Sequence, residues 1–348
     1  MNTSSQPLRA GVAGLGRSGW GIHAACMEKL PEQFAIAAIC DPRPERRDEA
    51  VQRFGCTACE TPEALFADAS LDLVVVATPN QLHVQHATAA LNAGRNVLVE
   101  KPLASSAAEV DGLIKTAAAK GRVLAPFQNR RYEPVFRKVQ QVIDSGVLGR
   151  IVQIRMAVHA FARRWDWQTL KKFNGGSLTN TGPHFIDQAL QLFGDATPDV
   201  FCQLDRTLTS GDADDHVKLI LHKPGSPTVE VEITACCAFP QDPWLVMGTT
   251  GGLRGNFASL NWKWVDFGTM PERPVQPDPT PNREYLSEKI EWHEESWVLA
   301  DQPPVDPTQA FYLDLYRTLR EGKPLIVTPE SVRRQIAVIE TCQKNCPL

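Results

Sequence analysis

Three predominantly apolar runs near the N-terminus admit few partners other than one another. They cover residues 8–14, 34–40 and 73–78, and the third places Val74, Val75 and Val76 in succession. A strand with one wet face alternates apolar with polar residues. A continuous β-branched run is buried on both faces, as in a parallel sheet covered by helices. Segments of helical character lie between the runs, from after Gly14 to about Leu30, at 43–54 and at 81–93. A strand at 96–100, a helix at 107–120 and a strand at 122–127 complete the series. This alternation predicts a doubly wound α/β domain over residues 1–127.

The remainder, 128–348, reads differently. A helix is predicted at 133–145, ended by Gly146, then a period-two strand at 151–160 and a helix at 181–192. Runs at 200–207, 217–221, 228–235 and 244–247 follow without helices between them, which predicts an α+β domain on a large, mostly antiparallel open sheet. The Pro-rich stretch 270–281 reads as a surface loop. Helices are predicted at 308–320 and 329–342, and the last is expected to pack back on the first domain.

Composition narrows the classes of function. A net charge of −4 without a basic run argues against nucleic acid as a partner. No apolar stretch approaches the ~20 residues of a membrane helix. Polar residues run from Asn2 to Gln6 before the first strand, so no secretory signal is expected and the location is expected to be cytoplasmic. Nine cysteines form no metal framework. Cys56 and Cys59 make a C-x-x-C without a second pair, and Cys26, Cys40, Cys202, Cys236 and Cys237 read as small core residues. Reduced thiols and no metal are expected.

Gly14-Leu15-Gly16-Arg17-Ser18-Gly19 follows the first strand and opens a helix. Gly14 can make the tight turn, Gly16 lets backbone approach a pyrophosphate, Gly19 permits close helix–strand packing, and the helix N-terminus favours the anion. The pattern marks the first domain as a Rossmann domain. Asp41 ends the second strand, at the distance where a carboxylate accepts the ribose hydroxyls of NAD and repels a 2′-phosphate. It also precedes Pro42-Arg43 as a helix cap would. Arg43, Arg46 and Arg47 can instead favour NADP, so the expectation is NAD, preferred, or NADP.

Ala77-Thr78-Pro79-Asn80, His83 and Glu100-Lys101-Pro102 resemble the Gfo/Idh/MocA oxidoreductase family, which includes inositol dehydrogenases and glucose–fructose oxidoreductase. The resemblance continues through Asn129-Arg130-Arg131-Tyr132-Glu133 and Gly175-Gly176-Ser177-Leu178-Thr179-Asn180-Thr181-Gly182-Pro183-His184. The Asn-Arg-Arg-Tyr segment is similar to a scyllo-inositol dehydrogenase-like branch. The resemblance implies a homodimer or homotetramer formed through the open sheet. It implies that Lys101, next to an often cis Lys–Pro peptide, points at the substrate oxygen, and that His184 transfers the proton. Thr78, Pro79, Asn80, His83 and Glu100 would line the cofactor.

Elementary chemistry agrees. An ammonium stabilises a developing alkoxide, and an imidazole titrates near neutrality and takes a hydroxyl proton. Either residue can also be structural, as a surface lysine or a buried capping histidine. Asp187 and Asp166 can orient His184 or bind hydroxyls. Many relatives carry aspartate where this chain has Asn180, an amide that hydrogen-bonds but is no base. On the substrate side, Trp165-Asp166-Trp167-Gln168 offers rings for sugar faces and polar groups for hydroxyls, though both rings can simply pack. Arg131 and Tyr132 either reach the cleft or brace the domain interface.

The reading that results is hydride transfer between nicotinamide and a secondary alcohol or ketone of a sugar, cyclitol or derivative. Two alternatives remain: an NAD-dependent lyase or glycosidase using transient oxidation, and a non-catalytic nucleotide- or sugar-binding regulator.

Overall fold

A computed structural model describes residues 6–280 and 282–348. Residues 2–5 of the polar N-terminal run and Pro281 of the Pro-rich stretch lie outside the described residues.

The first domain starts with β1 (Leu8–Ala13), which leads through a π-helical turn, Gly19–Ala24, into α1 (Ala25–Glu28). β2 (Phe34–Cys40), α2 (Pro44–Phe54), β3 (Thr57–Cys59), α3 (Pro62–Ala67) and β4 (Leu73–Val76) follow. α4 (His83–Asn92), β5 (Asn96–Val99), α5 (Ala107–Lys120) and β6 (Leu124–Pro126) complete it. All six strands are parallel, in the order β3-β2-β1-β4-β5-β6. Val74, Val75 and Val76 are fully buried, as their unbroken run requires. The strand order reverses between β1 and β4, and that switch point is where doubly wound sheets bind ligands.

The second domain contains α6 (Pro134–Asp144), β7 (Ile151–His159), α7 (Ser177–Asn180) and α8 (Gly182–Phe193). β8 (Asp199–Asp205), β9 (His216–His222), β10 (Thr228–Thr234), β11 (Trp244–Gly248), β12 (Gly251–Gly255), β13 (Ser259–Trp264) and β14 (His293–Val298) follow. They form one sheet in the order β14-β13-β12-β11-β7-β10-β9-β8, antiparallel except for the β7–β10 pair. Alternation buries Val217, Leu219 and Leu221 of β9, between β10, on which α8 packs, and β8, on which α10 packs. The opposite face carries an ionic cluster in which Lys218 pairs with Glu230 and Glu232, and Arg155 with Glu230.

Four strands depart from the sequence reading. β3 is an edge strand made from the Cys56–Cys59 segment. β12 is masked by three glycines. A Cβ on Gly251 would lie 2.2 Å from the Lys263 carbonyl oxygen, and one on Gly255 2.2 Å from that of Ser259, so close cross-strand approach requires glycine at both. β13 buries Leu260 and Trp262 in a period-two pattern too short to stand out. β14 is a charged edge strand, His-Glu-Glu-Ser-Trp-Val. Cys236 is exposed and Cys237 half-buried, so neither is the core residue expected, whereas Cys26 and Cys40 are buried.

Two C-terminal helices, α9 (Pro307–Glu321) and α10 (Pro329–Asn345), return to the first domain. α10 packs on α5 and β6 as well as on α8 and β8. Arg333 forms a two-bond ion pair with Asp111 of α5.

Candidate active site

The glycine loop is shaped by two close approaches and one open position. Gly14 has φ +91°, and a Cβ there would sit 2.6 Å from the Ala77 carbonyl oxygen, so the loops after β1 and β4 touch. A Cβ on Gly19 would collide with the Gly14 oxygen at 1.8 Å, whereas one on Gly16 would meet only open space. That open position between two obligatory glycines is the cradle a pyrophosphate needs. Arg17 is exposed and Ser18 half-buried at the head of the π-helical turn. Asp41 Oδ2 accepts from the Leu15 N–H (2.8 Å) and Oδ1 from Arg43 N–H (3.0 Å), so its carboxylate fixes both the loop and the start of α2. Arg46 lies over it at 3.3 Å, and Arg47 donates to the Asp41 carbonyl.

β5 delivers Lys101 to the cleft, and the Lys101–Pro102 peptide is cis. Lys101 Nζ donates to both the backbone oxygen and Oδ1 of Asn180, each at 3.0 Å. These bonds span the two domains. Burial lowers the Lys101 pKa, Glu100 opposes this, and the cations Arg130, Arg17 and Arg164 lower it further. His184 stands in the first turn of α8, where Nδ1 is buried and has no hydrogen-bond partner among the described residues. Burial, then Lys101 and Arg130, push its pKa well below the usual histidine value, so the ring is neutral. A neutral imidazole and an ammonium within electrostatic reach of one another can accept a proton and stabilise the oxyanion it leaves.

The N-terminal part, residues 8–128, matches the oxidoreductase family with an NAD-binding Rossmann fold, and residues 136–254 match the Gfo/Idh/MocA C-terminal domain. An uncharacterized oxidoreductase of Schizosaccharomyces pombe is 30% identical over 274 residues, 76% of this chain and 72% of that protein. The chain belongs to the Gfo/Idh/MocA oxidoreductase family. Scyllo-inositol 2-dehydrogenase (NADP(+)) of Bacillus subtilis is 31% identical over 54% of this chain and 52% of its own length. The match thus spans about half of that relative. The WlbA dehydrogenase of Bordetella pertussis, solved with NADH and UDP-GlcNAcA, superposes with a TM-score of 0.75 at 19% identity, covering 97% of this chain and 96% of its own. An NAD-binding protein from Listeria innocua gives 0.80 at 22%, covering 98% of each.

Within this Gfo/Idh/MocA chain, several residues expected at the ligand also bond to other parts of the chain. Arg131 is buried and clamps Asp187 through two bonds of 2.7 and 2.6 Å, then reaches Ser331 Oγ and the Ile326 carbonyl. It braces α8 against the C-terminal segment, the second of the two roles expected of it, and both Asp187 oxygens accept from it. Tyr132 is likewise buried, its hydroxyl donating to Asp314 at 2.9 Å. His83, 1% exposed, lies behind the cofactor loops with its ring nitrogens 2.7 Å from the Pro102 carbonyl and 2.9 Å from that of Thr78. Burial lowers its pKa, and a neutral ring donates to only one of them. Glu100 also sits beneath the cleft, accepting from Lys101 N–H at 2.8 Å and contacting His23 at 3.2 Å. Burial raises its pKa, but His23 and Lys101 outweigh this and hold it at about 2. His23 Nδ1 lies 2.7 Å from the hydroxyl of Tyr312 on α9.

Thr78 is half-buried, its hydroxyl 3.1 Å from His86 Nδ1; Pro79 is exposed, and Asn80 reaches the Asn174 carbonyl across the cleft at 3.5 Å. Asp166 caps its own turn by accepting from Gln168 N–H and pairs with Arg164, so its oxygens serve the loop. Trp165 projects, 80% exposed, and Trp167 packs edge-on against Phe173. Gln168 is the stronger link to the site. Its amide lies 3.4 Å from that of Asn180, and its Oε1 accepts from Arg164 at 2.6 Å. The Pro183 carbonyl, next to His184, is held by Gln128 (3.2 Å) and Gln335 (2.7 Å), partners too distant in sequence for any local motif to reveal.

If Arg131 is a brace, Arg131→Ala leaves the Asp187 charge buried and unpaired. The expected cost is about 3–5 kcal/mol of stability by chemical denaturation. A variant of unchanged stability with a raised KM would return Arg131 to the substrate.

Proposed function

We propose that this protein is an NAD(P)-dependent dehydrogenase or reductase acting on a secondary alcohol or ketone of a sugar, cyclitol or derivative. The observation that carries the reading is the pairing, one strand from the order reversal, of Lys101 on Asn180 with a neutral His184 whose buried Nδ1 has no partner among the described residues. The glycine cradle fits a dinucleotide pyrophosphate, with Gly14, Gly16, Arg17, Ser18, Gly19 and Asp41 on its path and Thr78, Pro79 and Asn80 at the nicotinamide side. Nicotinamide, when bound, exchanges hydride with the substrate carbon. His184 takes the hydroxyl proton during oxidation and returns it during reduction. Lys101 stabilises the oxygen as charge develops on it, and Asn180 fixes the ammonium while offering its amide to a hydroxyl. Trp165 and Trp167 supply faces for the C–H side of a ring. We assign association as a dimer or tetramer to the open sheet, and a cytoplasmic location to the protein.

Screening the purified protein for NADH or NADPH formation across polyols and sugars tests this reading. Turnover with tightly retained NAD and no net NADH points to transient oxidation driving elimination. Binding without turnover of any substrate points to a regulator.

NAD(H) is the expected preference. The Arg46–Asp41 contact joins an Arg46 side chain 37% exposed to a buried Asp41, and a carboxylate at that position repels a 2′-phosphate. Fluorescence titration should give an NADP(H) dissociation constant weaker by about tenfold or more. Asp41→Ala should narrow that ratio, even as both affinities fall with the loss of the Leu15 anchor. A wild-type preference for NADP(H) would make the arginines the deciding groups.

A further inference from the structure

We propose that Cys202 and Cys346 are a reversible disulfide site that staples the C-terminal helix to the edge of the second sheet. Cys202 lies on β8, the terminal strand of the eight-stranded sheet, and Cys346 caps the C-terminal end of α10. Their sulfurs are 3.3 Å apart, and Cys346 Sγ also lies 3.0 Å from the Cys202 carbonyl oxygen. A disulfide bond is ~2.05 Å long, so closure asks for a movement of little more than 1 Å, within the reach of side-chain rotation at a helix end. β8 alternates exposed and half-buried residues, and Cys202 is on the face turned to α10, with Val200 and Leu204 packed alongside it.

The other cysteines do not offer the same geometry. Cys342 is one turn earlier on α10 and fully buried; its carbonyl oxygen accepts from Cys202 Sγ and its thiol also neighbours that of Cys202, so it is the competing partner the test must tell apart from Cys346. Burial pushes its thiol up to about 11. Among the described residues no group of three His, Cys, Asp or Glu side chains is placed to hold a metal ion, so the sulfurs do not read as ligands.

The reaction is a thiol–disulfide exchange with a small disulfide such as oxidised glutathione as oxidant. Cys346, half-buried at the helix end, attacks as thiolate, forms a mixed disulfide and expels one glutathione thiolate. Cys202 then loses its proton to solvent and attacks the Cys346 sulfur, expelling the second. Two protein thiols are oxidised and one glutathione disulfide is reduced to two thiols. Burial raises the Cys202 thiol, which makes it the resolving rather than the attacking group. The product joins residues 144 apart in sequence, a long loop for which cross-linking constrains the unfolded chain strongly. It anchors the far end of α10, the helix whose Gln335 holds the carbonyl beside His184.

The test uses the full chain incubated with oxidised glutathione, quenched in acid, alkylated, and examined by intact mass and peptide mapping, with thermal unfolding in parallel. The expected result is loss of two titratable thiols, a cross-linked peptide pair containing Cys202 and Cys346, and a thermal midpoint raised by several degrees. Dithiothreitol should reverse all three. Cys346→Ser, at a helix end where folding tolerates it, should abolish the cross-link and the shift, while Cys59→Ser should leave both. A persistent glutathione adduct on Cys346 without cross-link, a cross-link between any other pair, or a midpoint that does not move would overturn the proposal.

Discussion

Lys101→Met should cost turnover on the order of 100-fold or more while nucleotide binding stays nearly intact. The substitution keeps the length of the side chain and removes its charge, and with it both bonds to Asn180. The loss should appear in kcat more than in KM, because the ammonium acts on charge that develops only as the proton leaves. Its pH signature follows from the same surroundings. Burial and three nearby arginines favour the neutral amine, so the alkaline decline in activity should begin below the range of an ordinary lysine. Near-normal turnover in the methionine variant would make Lys101 a bystander at the domain interface.

His184→Ala should cost roughly 100-fold to 10,000-fold in the oxidation rate. The wild-type profile should be flat through neutral pH, because the ring is already deprotonated there. As pH falls, protonation removes the base, and oxidation should decline only at a pH well below ~6.5, the usual histidine value. Asn180→Asp places a carboxylate on Lys101 and near the imidazole, which favours both cationic forms. The acid decline should therefore move to higher pH and the alkaline one should move higher too. An acid limb that persists unchanged in His184→Ala would assign the proton to another group.

The parts of this architecture that can be read from the chain are those in which the physics is local. A β-branched run such as Val74 to Val76 states its own burial, and the glycines at 14, 16 and 19 state a turn, an open approach and a close packing within six residues. Lys101 and His184 stand in short motifs of the same kind. The structure places Lys101 on Asn180 across 79 residues of sequence, a contact that no spacing rule contains. The braces are equally non-local. Arg131 meets Asp187 across 56 residues, Gln335 meets the Pro183 carbonyl across 152 and Tyr312 meets His23 across 289; each contact is polar and buried, and the last joins the two domains. Their signal in the sequence is a polar residue inside an apolar helix face, which equally fits a solvated position. β12 failed to register for the opposite reason, since its three glycines carry no hydrophobic pattern although crowding makes them necessary.

The double amide hold on the Pro183 carbonyl has a consequence for when this protein can begin to work. Gln128 and Gln335 bond to each other at 3.0 Å as well as to that carbonyl, closing a triangle among the end of the Rossmann domain, the first turn of α8 and the middle of α10. During synthesis, the cradle and the lysine strand are complete long before α10 leaves the ribosome. The proton-transferring helix lacks its second support until that last helix docks. A nascent chain can thus form its glycine cradle before the Pro183 carbonyl has its second support, and a change that strains the C-terminal end of α10 should loosen that carbonyl from about 15 Å away along the helix.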